Sequence, residues 1–281
     1  MNDREVMSQK TVAISISESP DMPALGLTDA HLKDAMAEIA RHLLALGARL
    51  AYGGDLRNEG FTELLFELVA RHRRDAEVGD ERTSVTDYLA WPVHILKTAE
   101  DLEGYSAQLS GSAGLVLLTL DGGRYTLTER RMEPSRTPTD AEWSQGLTAM
   151  RKRMLNEIDA RIVLGGRVEG YKGIMPGIAE EALLSLEQQQ PLFLMGGFGG
   201  CAKDIAETLG FVFTMIPSQS RWEGRKAFQI FNGADLRNGL STEENTILVN
   251  TPHVDQAIAL ILRGLLRLND PERTAIPQGI Q

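Results

Sequence analysis

Three glycine-bearing turns, each directly after a short apolar run, constrain this chain more than any other feature. The turns are Tyr52-Gly53-Gly54-Asp55, Gly165-Gly166-Arg167 and Met195-Gly196-Gly197-Phe198-Gly199-Gly200. Where a buried parallel strand gives way to a helix, glycine lets the backbone turn tightly and lets a ligand approach main-chain N–H groups. The pattern therefore predicts a nucleotide pocket at one edge of a parallel sheet.

Length and charge limit the classes of protein that fit. A chain of 281 residues with 42% hydrophobic residues can bury a sizeable core, so we predict one nucleotide-binding domain over 1–281. An insertion at about 111–138 and a flexible tail at about 269–281 complete this prediction. The net charge of −10 argues against nucleic acid as a partner, because neutralising phosphates needs a basic surface.

Cysteine, histidine and apolar residues point to a cytoplasmic protein without a metal. Cys201 is the only cysteine, so neither an internal disulfide nor a multi-cysteine zinc site can form. The five histidines lack metal-ligand spacing, and we predict neither a metal nor a cofactor. No secretory signal and no run of about 18 apolar residues occurs, which predicts that no membrane is involved.

Apolar runs alternate with amphipathic segments along most of the chain. Strands are predicted at 11–17, 48–52, 92–96, 160–164, 191–195 and 246–250, and 115–120 is predicted to belong to an irregular or strand-containing segment. Helices are predicted to begin near residues 28, 62, 139, 175, 202 and 252. The alternation predicts a Rossmann-like α/β fold, an open and mostly parallel sheet with helices on both faces.

Two further segments are predicted to be exposed. Residues 74–84 are charged and aperiodic, and 121–138 contains two prolines that exclude a continuous helix, so both are predicted to be loops. On the helix that follows, Arg151, Lys152 and Arg153 are predicted to occupy exposed positions.

The turn Gly196-Gly197-Phe198-Gly199-Gly200 is the strongest local indication of a ligand. Glycines this dense weaken a fold unless the backbone needs room or unusual dihedral angles, and a phosphate fits that need. The alternative is a tight strand-to-helix turn without a ligand. The turn matches neither a P-loop nor a dinucleotide-binding fingerprint.

The loop after the strand at 160–164 combines cations with an aromatic residue. Arg167 could clamp a phosphate, Lys172 could supply a point charge, and Tyr171 could stack on a base or ribose. The glycines Gly165 and Gly166 leave room beside them. Each side chain taken alone is equally compatible with a solvated loop.

Four charged residues are further candidates for the site. Asp55 could accept ribose hydroxyls with support from Arg57, or it could pair with Arg57 or cap the following helix. Glu180 and Glu181 are the candidate catalytic acids or bases, although acids in a first helical turn are ordinary partners of the helix dipole.

Together, these turns resemble those of the SLOG superfamily, the Rossmann-like group that includes the lonely-guy phosphoribohydrolases and the DNA-processing protein. Tyr52-Gly53-Gly54 is similar to the family's Y-G-G turn, and 196–200 is similar to its later glycine-rich turn. Hydrolases of the family carry P-G-G-x-G-T-x-x-E. In this chain Met195 stands in place of the proline and Lys203 in place of the glutamate, which leaves enzymatic activity undecided.

The run G-G-R-x-x-G-Y-K-G-x-x-P-G-I-x-E-E is most similar to SLOG domains that accompany TIR-type NAD-consuming enzymes. That resemblance implies a sensor of a nucleotide-like small molecule such as ADP-ribose, cyclic ADP-ribose or NAD, in antiphage or stress signalling. It also implies a homo-oligomer and a separate effector or TIR-type partner. The alternatives are an N-glycosidic hydrolase or deoxyribosyltransferase-like enzyme, and an oligomeric scaffold without a ligand.

Overall fold

In the part of the chain that the structure describes, seven strands form one sheet. The structure is a computed structural model that describes residues 6–54, 56, 60–75, 84–109, 113–212 and 222–270. The strands are β1 (Thr11–Ser17), β2 (Arg49–Gly53), β3 (Val85–Leu89), β4 (Ala113–Leu118), β5 (Arg124–Tyr125), β6 (Ala160–Gly165) and β7 (Leu192–Met195). Their order is β5-β4-β3-β2-β1-β6-β7, and every neighbouring pair is parallel except β4 with β5. The predicted Rossmann-like, mostly parallel sheet is confirmed.

Helices cover both faces of the sheet, as a mainly parallel sheet requires. They are α1 (Asp29–Ala45), α2 (Phe61–Asp75), α3 (Trp91–His94), α4 (Ala99–Leu109), α5 (Leu127–Met132), α6 (Asp140–Leu155), α7 (Gly177–Glu187), α8 (Gly200–Thr208), α9 (Thr242–Asn250) and α10 (Val254–Asn269). Helices α1, α2 and α10 share one apolar cluster with Ile14 and Ile162. On the opposite face, α6 packs against Ala13, while α7 and α8 pack against Val163. Adjacent residues of a strand thus pack into apolar clusters on opposite faces of the sheet, because side chains alternate along a strand.

The prediction of a strand at 92–96 is wrong. The third strand is β3, whose apolar pattern is interrupted by the buried Asp87, and residues 91–94 form the short helix α3. Pro92 has no N–H to contribute to a ladder, but it fits the first turn of a helix, where that N–H has no partner.

The prediction of a strand at 246–250 is also wrong. These residues end the helix α9, which begins after Ser241 with a capping box. The Ser241 hydroxyl accepts the Glu244 N–H at 3.2 Å, and the Glu244 carboxylate accepts the Ser241 N–H at 2.9 Å. This local capping outweighs the strand preference of the branched residues that follow.

The segment 121–138 is more ordered than the predicted loop. It contains the edge strand β5 and the helix α5, and α5 ends before Pro134 as the proline argument requires. In the other predicted loop, 74 and 75 end α2, whereas 76–83 lie outside the described residues, as does the tail from 271 onward. The proposed insertion and tail boundaries stay predictions.

The sheet has a topological switch point beside its central strand. From β1 the chain first builds β2 to β5 on one side, and it later adds β6 and β7 on the other side. Ligands of such sheets bind outside the carboxyl ends of the strands at this switch. The three glycine turns follow β2, β6 and β7 at that same edge.

Candidate functional site

A cavity of about 330 Å³ opens at the switch point, near the smaller end of the range for small-molecule sites. Its walls come from the ends of β1 and β2, from one face of α6 and from the loop between β6 and α7. Polar and aromatic side chains line much of it: Ser15, Ser17, Tyr52, Trp143, Arg151, Arg167, Tyr171, Lys172 and Glu181. A nucleotide presents an aromatic base, hydroxyls and phosphate, for which such a lining offers partners.

Two left-handed glycines start the loop that walls the cavity. Gly165 has φ +66° and Gly166 has φ +111°, a region that other residues seldom adopt. A Cβ atom on Gly165 would lie 2.3 Å from the Ser17 carbonyl oxygen, which already accepts the Gly166 N–H at 2.9 Å. The glycines therefore bring the end of β6 tightly against β1 and send the following loop across the cavity.

Arg151 lies at the inner end of the cavity with only 7% of its side chain exposed. Its Nη1 donates to the Glu180 carboxylate, and its Nε is 3.6 Å from Glu181 Oε1. The remaining terminal nitrogen, Nη2, makes no hydrogen bond to another described residue, and it packs beside Gly177 at the start of α7. Arg151 was predicted to be exposed, and that prediction is wrong.

A second buried arginine supports the cavity from below. Arg161 is fully buried on β6, where its Nη1 is 2.7 Å from Ser15 Oγ and 2.5 Å from Glu181 Oε2. The Ser15 hydroxyl also donates to Glu181, and Arg161 Nε donates to Ser185 Oγ. Burial lowers the pKa of Arg161, and the nearby Glu181 carboxylate opposes this effect. Because buried ion pairs add little net stability, a network of this kind is better explained by the groups that it positions.

The two candidate acids have different surroundings. Glu180 is buried and accepts hydrogen bonds from Thr148 and Arg151. Glu181 lines the cavity and is bound by Arg161 and Ser15. Of the two, Glu181 is therefore the carboxylate that a ligand can reach.

The loop places a cation over an aromatic ring at the cavity mouth. Lys172 Nζ lies 4.4 Å from the centre of the Trp143 ring, within the range of a cation–π contact. Tyr171 is half-buried and packs against the cluster formed by α7 and α8. Arg167 is exposed at the rim, where Nη2 donates to Glu18 at 2.5 Å.

The charged side chains at the cavity sum to a positive value. Cations outnumber carboxylates by one among Arg151, Arg161, Arg167, Lys172, Glu18, Glu180 and Glu181. The whole chain has a formal charge of −10, so the cavity differs in sign from the chain as a whole. This local field favours a small anion over a nucleic acid.

The turn 196–200 is filled by the protein itself. The Gly199 N–H donates to Gly196 O at 2.8 Å, and the Gly200 N–H donates to Asp21 Oδ2 at 2.7 Å. A Cβ atom on Gly197 would lie 2.2 Å from the Thr251 carbonyl oxygen. All five residues, including Phe198, are buried, and none lines the cavity. A phosphate role for this turn stays a prediction, while the Gly199 and Gly200 amides have protein partners here.

The first glycine turn is divided between the cavity and the protein. Gly53 lines the cavity and contacts Met150 of α6. A Cβ atom on Gly54 would lie 2.2 Å from the Asp87 carboxylate, so Gly54 is required by packing. Asp55 and Arg57 lie outside the described residues.

Sequence reasoning missed Ser15, Trp143, Arg151 and Arg161 as members of the site. Trp143, Leu147 and Arg151 recur every four residues and so share one helix face, which was the available signal. Ser15 and Arg161 sit within apolar strand runs, where no local pattern marks them.

Cys201 is a packing residue. It is fully buried in the first turn of α8, and burial raises the pKa of its thiol well above the usual range. Over the described ranges, no cluster of histidine, cysteine, aspartate or glutamate could hold a metal ion, and no helix is long and apolar enough to cross a membrane.

Comparison with known families identifies the family of this chain. The family model described as SLOG cluster2 matches residues 6–234, which covers the sheet and the whole cavity lining. None of the curated proteins matches this chain.

Proposed function

Since this chain belongs to the SLOG superfamily, we propose that it binds a nucleotide-derived small molecule in the cavity at the sheet's switch point. ADP-ribose, cyclic ADP-ribose and NAD are the candidate ligands. The observation that carries the proposal is a net positive cavity, at the carboxyl edge of β1 and β6, within an acidic chain.

The anionic end of the ligand is assigned to Arg151 and α7. Arg151 Nη2 makes no hydrogen bond to another described residue, and it lies beside Gly177. The first backbone N–H groups of a helix also lack partners within the helix, so α7 offers amides and a favourable dipole at the same place. Lys172 and Arg167 add charge nearer the mouth.

The ribose is assigned to Glu181 and Ser15. Both line the cavity, and their mutual hydrogen bond with Arg161 fixes their positions. A carboxylate accepts hydrogen bonds from hydroxyls, whereas it repels phosphate, so Glu181 orients the ligand as well as binding it.

Glu181 also favours a second candidate function. A carboxylate at the cavity wall could act on the sugar carbon of an N-glycosidic bond, as a hydrolase or deoxyribosyltransferase requires. In that case the ligand is consumed. A TIR-type partner that produces the ligand belongs to the first function, and we propose it together with a homo-oligomeric state.

Calorimetry with ADP-ribose, cyclic ADP-ribose, NAD and AMP tests the proposal, followed by chromatography of the incubated ligands. Binding with intact ligand supports the sensor, and release of base supports the enzyme. If none of the four ligands binds, the remaining hypothesis is an oligomeric scaffold without a ligand. For the variant Arg151→Met, the matched control is Arg153→Met. Arg153 lies two residues from Arg151, pairs with Glu157 and does not line the cavity.

A further inference from the structure

We propose that the indole ring of Trp143 is the platform on which the base of the bound nucleotide stacks. The inference rests on the proposed function and adds to it the end of the cavity at which the base lies. It also makes Trp143 the residue that separates nucleotides from sugar phosphates that carry no base.

The helix start that carries Trp143 is fixed by a capping box. The Thr139 hydroxyl accepts the Glu142 N–H at 3.3 Å, and the Glu142 carboxylate accepts the Thr139 N–H at 2.8 Å. Arg136 pairs with the same carboxylate, and the backbone N–H of Trp143 donates to the Thr139 carbonyl oxygen at 2.9 Å. A capping box fixes the direction in which a helix begins, so the backbone at Trp143 is set before any ligand binds. The side chain also packs against the apolar cluster that contains Met150.

One face of α6 supplies both ends of the site. Trp143, Leu147 and Arg151 are four residues apart and all line the cavity. Eight residues span about 12 Å along a helix axis, at about 1.5 Å per residue. The face thus runs from an aromatic ring at the mouth, past an apolar residue, to a guanidinium at the inner end. A nucleotide has the same polarity, with its base and its phosphate at opposite ends.

Trp143 differs from the other two tryptophans of the chain. Trp91 is 5% exposed and Trp222 is 6% exposed, and Trp222 Nε1 donates to Asp204. Trp143 is half-buried and opens onto the cavity. It is therefore the tryptophan whose ring a ligand can reach.

Lys172 lies over the Trp143 ring. The lysine is exposed, and the contact of an exposed ammonium with a ring is weak. A stacked base contacts a much larger part of the ring and gains more from it. The base therefore replaces the ammonium on the ring.

The test compares AMP with ribose 5-phosphate, which differ by the base. Their affinities are measured by calorimetry for the wild-type protein, Trp143→Phe and Trp143→Leu. We expect Trp143→Leu to weaken AMP binding about 10-fold and Trp143→Phe to weaken it by about 3-fold, since stacking falls with ring size. Ribose 5-phosphate should change by less than about 2-fold in both variants. AMP should also quench tryptophan emission in the wild-type protein but not in Trp143→Phe.

Each outcome decides between the two claims. Equal weakening of both ligands, or unchanged AMP affinity in Trp143→Leu, overturns the stacking role while leaving the proposed function in place. If the wild-type protein binds neither of these two ligands, and also binds none of ADP-ribose, cyclic ADP-ribose and NAD, the proposed function fails. The stacking role then fails with it. Circular dichroism checks the fold, and should Trp143→Leu not fold, the ratio of the two affinities in Trp143→Phe decides alone.

Discussion

The loop 165–177 and the turn 196–200 are both rich in glycine and both follow a buried strand, but they use their glycines differently. The loop, which includes Lys172, borders an open cavity that Arg151 and Glu181 also line. The turn is packed against the protein's own backbone, and its Gly199 and Gly200 amides donate to Gly196 and Asp21. Glycine therefore indicates that something comes close to the backbone, and the tertiary structure decides whether it is a ligand or the chain itself.

Asp21 shows the difference most directly. Its carboxylate accepts the Gly200 N–H at the start of α8, the kind of position at which a helix binds an anion. The corresponding position at the start of α7 has the Arg151 guanidinium beside it. One helix start is thus satisfied by an anion of the protein, and the other lies beside a cation and faces the cavity.

The largest expected effect comes from Arg151→Met. This variant tests whether the buried charge of Arg151, on α6 beside the loop, is required for the cavity. Removing one partner of a buried ion pair leaves the other unpaired, so we expect the free energy of unfolding to fall by about 3–5 kcal/mol in urea titrations. The double variant Arg151→Met, Glu180→Leu should recover much of that stability without recovering ligand binding. A loss below about 0.5 kcal/mol, equal to that expected for the half-buried control Arg153→Met, would mean that the pair is unimportant.

Gly197→Ala tests the turn. Its new methyl group would lie 2.2 Å from the Thr251 carbonyl oxygen, so we expect a loss of about 2–3 kcal/mol in unfolding free energy from overpacking. Gly104→Ala is the control, because nothing lies within 4 Å of its Cβ position in α4, and it should stabilise the protein by about 0.5–1 kcal/mol. If Gly197→Ala is as stable as the wild-type protein but binds ligand more weakly, the turn 196–200 contacts the ligand. Its glycines would then not be explained by packing.

Gly177→Ala tests the loop in the same way. The methyl group would lie 2.6 Å from Arg151 Nη2 and must push the guanidinium away from the start of α7. We expect the affinity for ADP-ribose to fall about 10-fold, or about 1.4 kcal/mol, by calorimetry. An affinity equal to that of the wild-type protein would show that Arg151 does not contact the ligand.

Arg167→Ala should have the smallest effect. Arg167 is exposed and already paired with Glu18, so we expect ligand binding to weaken by about 1 kcal/mol or less. Glu18→Gln releases the guanidinium and should strengthen binding of an anion slightly. If Glu18→Gln weakens binding instead, Glu18 itself contacts the ligand.

The sequence predicted the sheet because buried parallel strands appear as apolar runs between helical periods. It failed at 92–96 and 246–250, because branched residues there are typical of strands. A proline at the first segment and a capping box before the second favour helices instead. It also placed Arg151 with Lys152 and Arg153 on the exposed face. Three adjacent cations look alike in sequence, and only the packing of α6 against α7 buries the first of them.

Hydrogen exchange of the protein with and without ADP-ribose, read by mass spectrometry, tests the central claim most directly. The account predicts slower exchange over 166–178 and at the start of α6, because the ligand lies between them, with little change over 196–201. Protection over 196–201 without protection over 166–178 would contradict it, and so would unchanged exchange in both regions at saturating ligand.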